Sequence, residues 1–169
     1  MRTIVIIFTI VFVSCSERKD KDIITINTGE VKLITEKCIS KDFAYCSAVI
    51  AQFGDSAVFA HAVPEVYEEA AFHLIWQSKI YNKGEVTTPN AIQLILNITD
   101  SLGVNRERLS FYVIAGCKEE GLEQIMPSIK HYNLKTVMLK IDNTFQDTEV
   151  LRDIFFDPRT KDLQIQKQF

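Results

Sequence analysis

Apolar and polar positions divide the chain into short strand-like segments, a helical middle and a strand-like end. Ile4 to Val13 is apolar except for Thr9 and is followed by the polar run Ser16 to Asp22. Ile24 to Asn27 and Val31 to Ile34 then flank Thr28-Gly29-Glu30, which predicts a short hairpin because glycine supplies the positive φ of a tight turn. Ala44 to Phe53 and Ala57 to Val63 are small and β-branched with few charges, and they predict a buried strand pair around Gly54-Asp55. Glu65 to Ile80 places Val66, Ala70, His73, Leu74 and Gln77 at helical spacing, with Asn82-Lys83-Gly84 as the stop. In Pro89 to Leu102, Thr88 is a cap, Pro89 suits the first helical position and Gly103 suits the residue after the end. Ile92, Ile95, Leu96, Thr99 and Leu102 make its inward face.

Leu109 to Ala115 predicts an apolar strand, Leu122 to Tyr132 a helix facing inward through Leu122, Ile125, Met126 and Ile129, and Thr136 to Ile141 another strand. Pro127 lacks an amide donor and is expected to kink that helix or move its start to Met126. Val150 to Phe156 and Asp162 to Gln166 bracket Asp157-Pro158-Arg159-Thr160, a type I turn signature that closes a terminal hairpin. This order predicts an α+β or α/β sandwich with helices packed on a largely antiparallel mixed sheet.

With 169 residues, 47% hydrophobic and 24% charged, the chain suits one globular core. A formal charge of -3 and no long basic run argue against nucleic acid as a partner. The N-terminus has a signal-peptide layout: a positive start at Arg2, an apolar segment too short to span a bilayer, then polar residues. Phe12-Val13-Ser14-Cys15 resembles a bacterial lipobox with Phe in place of the usual Leu. The expected organisation is a lipoprotein signal over 1–14, a polar tether over 15–22 and one domain over 23–169. Lipidation of Cys15 would hold an exported protein at a bacterial membrane, on its periplasmic or surface side. The alternative is that Ile4 to Val13 is a buried first strand.

Candidate chemistry rests on the cysteines and histidines. Cys38, Cys46 and Cys117 remain if Cys15 carries lipid, so at least one thiol is unpaired. Cys38 and Cys117 are either a disulfide or two core residues. No Cys-x-x-Cys or His-x-x-x-His spacing recommends a metal site. Cys46 heads one predicted strand and His61 ends the next, so an antiparallel pair around Gly54-Asp55 brings them face to face. An imidazole beside a thiol takes its proton and leaves a thiolate, the form that attacks acyl carbons. Ser40, on the lead-in segment, is the nearest hydroxyl able to accept a hydrogen bond from the second ring nitrogen and orient it. The opposing reading of His61 is a core histidine bonded to backbone, and that of Cys46 an inert buried thiol.

Cys46-Ser-Ala-Val-Ile, a turn, and Ala60-His61-Ala-Val-Pro64 resemble the core motif of the CheD-type chemoreceptor glutamine deamidases, in which a Gly-Ser-Cys-Val-Ala-Val strand precedes an Ala-His-x-x-Leu-Pro strand. The later elements, through the Phe156-Asp157-Pro158-Arg159-Thr160 hairpin, occur in that family's order over residues 24–167. The resemblance implies the α/β/α sandwich shared with the cytotoxic-necrotizing-factor deamidase toxins. It also implies Cys46 as nucleophile, His61 as general base and Ser40 in the place of the family's Thr. The substrate would be a protein with an exposed Gln side chain, attacked through a thioester without metal or organic cofactor. This chain has Ala44-Tyr45 where the family has Gly-Ser, so a large ring flanks the thiol. Two alternatives are an exported binding protein that keeps the fold without catalysis, and a Cys/His metal enzyme for which His73 would be the further ligand.

Overall fold

The computed structural model describes residues 23–44, 46–62, 80–81, 85–86, 91–115, 118–141 and 151–168. The expected signal segment, Cys15 and its tether, residues 65–79 of the expected helix with His73, Tyr45, the cap at Thr88-Pro89 and Cys117 lie outside the described residues, while Ile80, expected to end that helix, opens a short strand instead. The elements are β1 (Ile24–Ile26), β2 (Val31–Ile34), β3 (Cys38–Phe43), β4 (Ser47–Phe53), β5 (Ser56–Ala62), β6 (Ile80–Tyr81), β7 (Glu85–Val86), α1 (Ala91–Ser101), a 3-10 turn (Arg106–Arg108), β8 (Ser110–Ala115), α2 (Lys118–His131), β9 (Thr136–Ile141), β10 (Arg152–Asp157) and β11 (Asp162–Lys167). The class is α+β.

Two mixed sheets carry the architecture. One runs in the order β2-β5-β4-β8-β9 and the other β1-β3-β10-β11, while β6 and β7 form a separate antiparallel pair. All pairings in the five-stranded sheet are antiparallel except β8 with β9, and in the four-stranded sheet all but β1 with β3.

Alternate residues of the central strands enter two separate cores. Val49, Ala51, Val58 and Ala60 pack against Ile92, Ile95 and Leu96 of α1 and Ile125 and Ile129 of α2. On the opposite face, Ala48, Ile50, Ala57 and Phe59 pack against Ile26, Phe43, Ile154 and Phe156 of the four-stranded sheet. Among the described residues the layers are therefore helices, sheet, sheet. Within those residues the helix layer of the α/β/α order expected from the resemblance lies on one side of the five-stranded sheet, and a second sheet packs on the other face. Burial explains the arrangement: six of the seven β4 residues are buried, as in a strand covered on both faces, whereas β10 alternates buried and half-buried positions, as in an outer layer.

The first expected hairpin is also corrected. Gly29 takes a φ of 75° and the Glu30 amide donates to the Asn27 carbonyl, so the turn forms. However, β1 pairs in parallel with β3 in one sheet and β2 antiparallel with β5 in the other, so the turn passes the chain between layers. The hairpin of β4 and β5 forms as expected, with Phe53 opposite Ser56 and Gly54 at a φ of 53° in its two-residue loop. The α2 helix runs through Pro127 and does not start at Met126. In α1 the expected inward face holds for Ile92, Ile95, Leu96 and Thr99, but Leu102 lies beyond the last helical residue and is 50% exposed.

Candidate thiol–imidazole site

The site is built around His61, one residue from the end of β5. Its amide donates to the Glu30 carbonyl and its carbonyl accepts from the Gly29 amide, so the β1–β2 turn holds its backbone. Across the ladder its direct partner is Ala48. In an antiparallel pair, opposite residues point to the same face. His61 therefore faces the inter-sheet layer with Ala48, and the ring is fully buried there.

The four-stranded sheet supplies the ring's other contacts. Ser40 stands in parallel register with Ile26, and its hydroxyl donates to the Ile26 carbonyl at 2.7 Å. The same Oγ lies 2.9 Å from His61 Nδ1. Because the only hydroxyl proton is engaged with the carbonyl, Oγ acts as acceptor towards the ring. Nδ1 then carries the imidazole proton and Nε2 the lone pair. Phe43 lies flat on the imidazole, with ring centroids 3.8 Å apart and planes 10° from parallel. Nε2 is buried and has no hydrogen-bond partner among the described residues.

Burial pushes the His61 imidazole down to about 4, opposed by a smaller upward pull from the Asp42 carboxylate. At neutral pH the ring is uncharged, as a proton acceptor must be. A fully buried cationic ring would lose hydration that one hydroxyl does not replace.

Cys46 precedes β4 by one residue and packs against the core shared by Ala48, Phe43 and Phe59, which is the face that His61 occupies. The thiol is half-buried and not in a disulfide. The loop sets the register so that paired residue numbers place Ala48, not Cys46, directly opposite His61. The expected face-to-face pair is thus a diagonal one. Diagonal neighbours in a regular ladder lie about 7–8 Å apart, and Nε2 accepts no hydrogen bond from the thiol. The structure brings Ser40 and His61 into contact, and it places Cys46 on the same face, diagonal to His61.

Cys38 is separate from this group. It is a buried thiol at the start of β3, not in a disulfide, and burial with the nearby Asp157 carboxylate pushes it up to about 12. His131 is exposed in the last turn of α2, edge-on to Tyr132. No group of three or more His, Cys, Asp or Glu side chains among the described residues could hold a metal ion. No helix among them is long and apolar enough to cross a membrane.

Phe43 and Asp42 are site residues that the sequence reading passed over. Their signal is present in Cys38-Ile-Ser-Lys-Asp-Phe43, where two consecutive charged residues, Lys41 and Asp42, break a period-2 pattern, as a β-bulge does. Arg152, 1% exposed, was also passed over; it stands in register with Phe43 on the inward face of β10. No protein-family model matches the chain, and no curated protein matches it.

Proposed function

We propose that this protein is a Cys–His amidohydrolase of the CheD-like deamidase kind, acting on side-chain carboxamides of protein substrates. The observation that carries the reading is a neutral, hydroxyl-oriented imidazole whose Nε2 lone pair is uncommitted, on the same face as a half-buried thiol. Substrate binding would draw the Cys46 segment towards Nε2, in the way catalytic hydrogen bonds tighten in a Michaelis complex. Nε2 takes the thiol proton as sulfur adds to the carboxamide carbon. The resulting imidazolium returns the proton to the departing nitrogen, releasing ammonia and leaving a thioester. Water, deprotonated by the same Nε2, then hydrolyses the thioester to a carboxylate and restores the thiol. Ser40 orients the ring throughout and stabilises Nδ1–H in the cationic stage. The reading includes export with a lipid on Cys15.

The test is ammonia release, with the accompanying Gln-to-Glu mass gain, from unfolded casein and Gln-containing peptides. Wild type should release ammonia, while Cys46→Ala and His61→Ala should not. Equal release by wild type and Cys46→Ala would overturn the proposal. Membrane fractionation of wild type and Cys15→Ser tests the anchor, since a lipid-held protein should leave the membrane fraction only in the variant.

One observation favours a second reading, a binding protein that keeps the fold without turnover: a fully buried imidazole stacked on Phe43 with no bond to the thiol also describes a core histidine. Iodoacetamide separates the two. A catalytic pair should label Cys46 much faster than a model thiol at pH 7, with the enhancement lost in His61→Ala. The binding reading expects slow labelling that is the same in both proteins.

A further inference from the structure

β3 is out of phase with itself. Cys38 and Ser40 point inwards, Lys41 and Asp42 are both exposed, and Phe43 points inwards again. Strict alternation would have placed Asp42 inside and Phe43 in solvent. The phase change occurs at a bulge. Ser40 pairs with Ile154 and Phe43 with Arg152, so three steps along β3 face two along β10. Asp42 lies at this point with a φ of 63°, a left-handed conformation that costs most side-chain-bearing residues roughly 1–2 kcal/mol and that Asp and Asn tolerate better than the rest.

Hydrogen bonds line the outer side of the bulge. The Asp42 amide donates to Asp153 Oδ1 at 3.4 Å, and the Gln168 side-chain amide donates to Asp42 Oδ1 at 3.1 Å and to Asp153 Oδ1 at 2.6 Å. One strand thereby delivers two inward side chains to the same ring, although they are an odd number of residues apart. Ser40 meets the ring edge at Nδ1 and Phe43 covers its face. Backbone strain beside a candidate site is worth a functional explanation when the surroundings over-determine it.

We infer that Asp42 is a positioning residue: its left-handed backbone, rather than its carboxylate, re-phases β3 so that Ser40 and Phe43 together fix the plane and tautomer of His61. The use of that geometry in turnover rests on the amidohydrolase reading. The geometry itself does not, and it is measurable without a substrate.

The measurement is NMR of the His61 imidazole in the full chain, reading the two ring 15N shifts and the upfield displacement of the ring protons by Phe43. Wild type should show widely separated nitrogen shifts of a single Nδ1–H tautomer, with strongly displaced ring protons. Asp42→Gly and Asp42→Asn both accept positive φ and should keep both signatures, even though one removes the carboxylate and the other its charge. Asp42→Val should lose the ring displacement and bring the nitrogen shifts together as tautomers mix. A folded Asp42→Val with wild-type His61 signals would overturn the inference, as would loss of both signatures in Asp42→Gly. If Asp42→Val does not fold, Asp42→Gly and Phe43→Leu decide: glycine must preserve both signatures, and leucine must abolish the ring displacement while retaining the tautomer. Absence of ammonia release with these signatures intact would sink the catalytic reading and leave the positioning role standing.

Discussion

A single hydroxyl decides which nitrogen of His61 offers its lone pair. Ser40 gives its proton to the Ile26 carbonyl and therefore receives one from Nδ1. Ser40→Ala removes both bonds in a fully buried place; the Ile26 carbonyl remains within the β1–β3 ladder, while Nδ1 is left unsatisfied. An uncompensated buried group costs about 1–3 kcal/mol, so the variant should lose about that much in urea denaturation and lose tautomer selection by the ring. Ser40→Thr keeps the hydroxyl and should retain much of both. The contact of Ser40 with His61 was legible from residue type and from nearness to Cys46 along the chain, but the strand that delivers it, β3, was not among the expected elements, which left Ser40 on a lead-in segment. The diagonal offset of Cys46 was less legible, since counting from the turn centre had to be converted into an actual register. Phe43 was missed because its segment was read as a lead-in to the next strand; only the Lys41-Asp42 doublet before it betrays the bulge.

Elements were legible where the local sequence settles their partner. Gly54-Asp55 fixes the β4–β5 hairpin because a two-residue loop leaves little choice of register, and Gly103 with a φ of 69° ends α1 by accepting the left-handed turn. Thr28-Gly29-Glu30 looks equally local, but its flanking strands bond to β3 and β5, and long-range pairing overrode the hairpin pattern. Pro127 was read from its missing donor alone. Ile125 and Ile129 are buried on either side of it, so packing of α2 sustains the helix through that defect. The β4–β5 loop allows a clean measurement of backbone strain. A Cβ at Gly54 would meet no atom within 4 Å, so Gly54→Ala adds strain at positive φ without a steric clash. It should destabilise the protein by about 1 kcal/mol in equilibrium denaturation. It should not alter the His61 NMR signals, because the loop lies at the far end of the ladder from His61.

At the scale of the whole molecule, two cores share one central sheet, and the sequence showed only one of them. The helix-side core announces itself through the 3.6-residue period of α1, while the sheet-side core is assembled from strands at both ends of the chain, β1 and β3 with β10 and β11, whose pairing no local pattern specifies. The candidate site lies in this second core, so closing it requires both chain ends to be in place, and it makes global stability sensitive to pH. The His61 imidazole has its ordinary value of 6.5 when unfolded and is held at about 4 when folded, chiefly by burial. Between those values the unfolded chain binds a proton that the folded chain refuses, so acidification favours unfolding. The contribution is fully present above pH 6.5 and is lost progressively as pH falls to 4, reaching on the order of 3 kcal/mol at about 1.4 kcal/mol per unit. Urea denaturation from pH 7 to 5 should show this slope in wild type, above the range where ordinary carboxylates titrate. His61→Phe, which fills the space with a ring that cannot ionise, should flatten it by about one proton. An unchanged slope in that variant would mean that the buried imidazole does not govern the acid response, and that the ring takes up its proton in place.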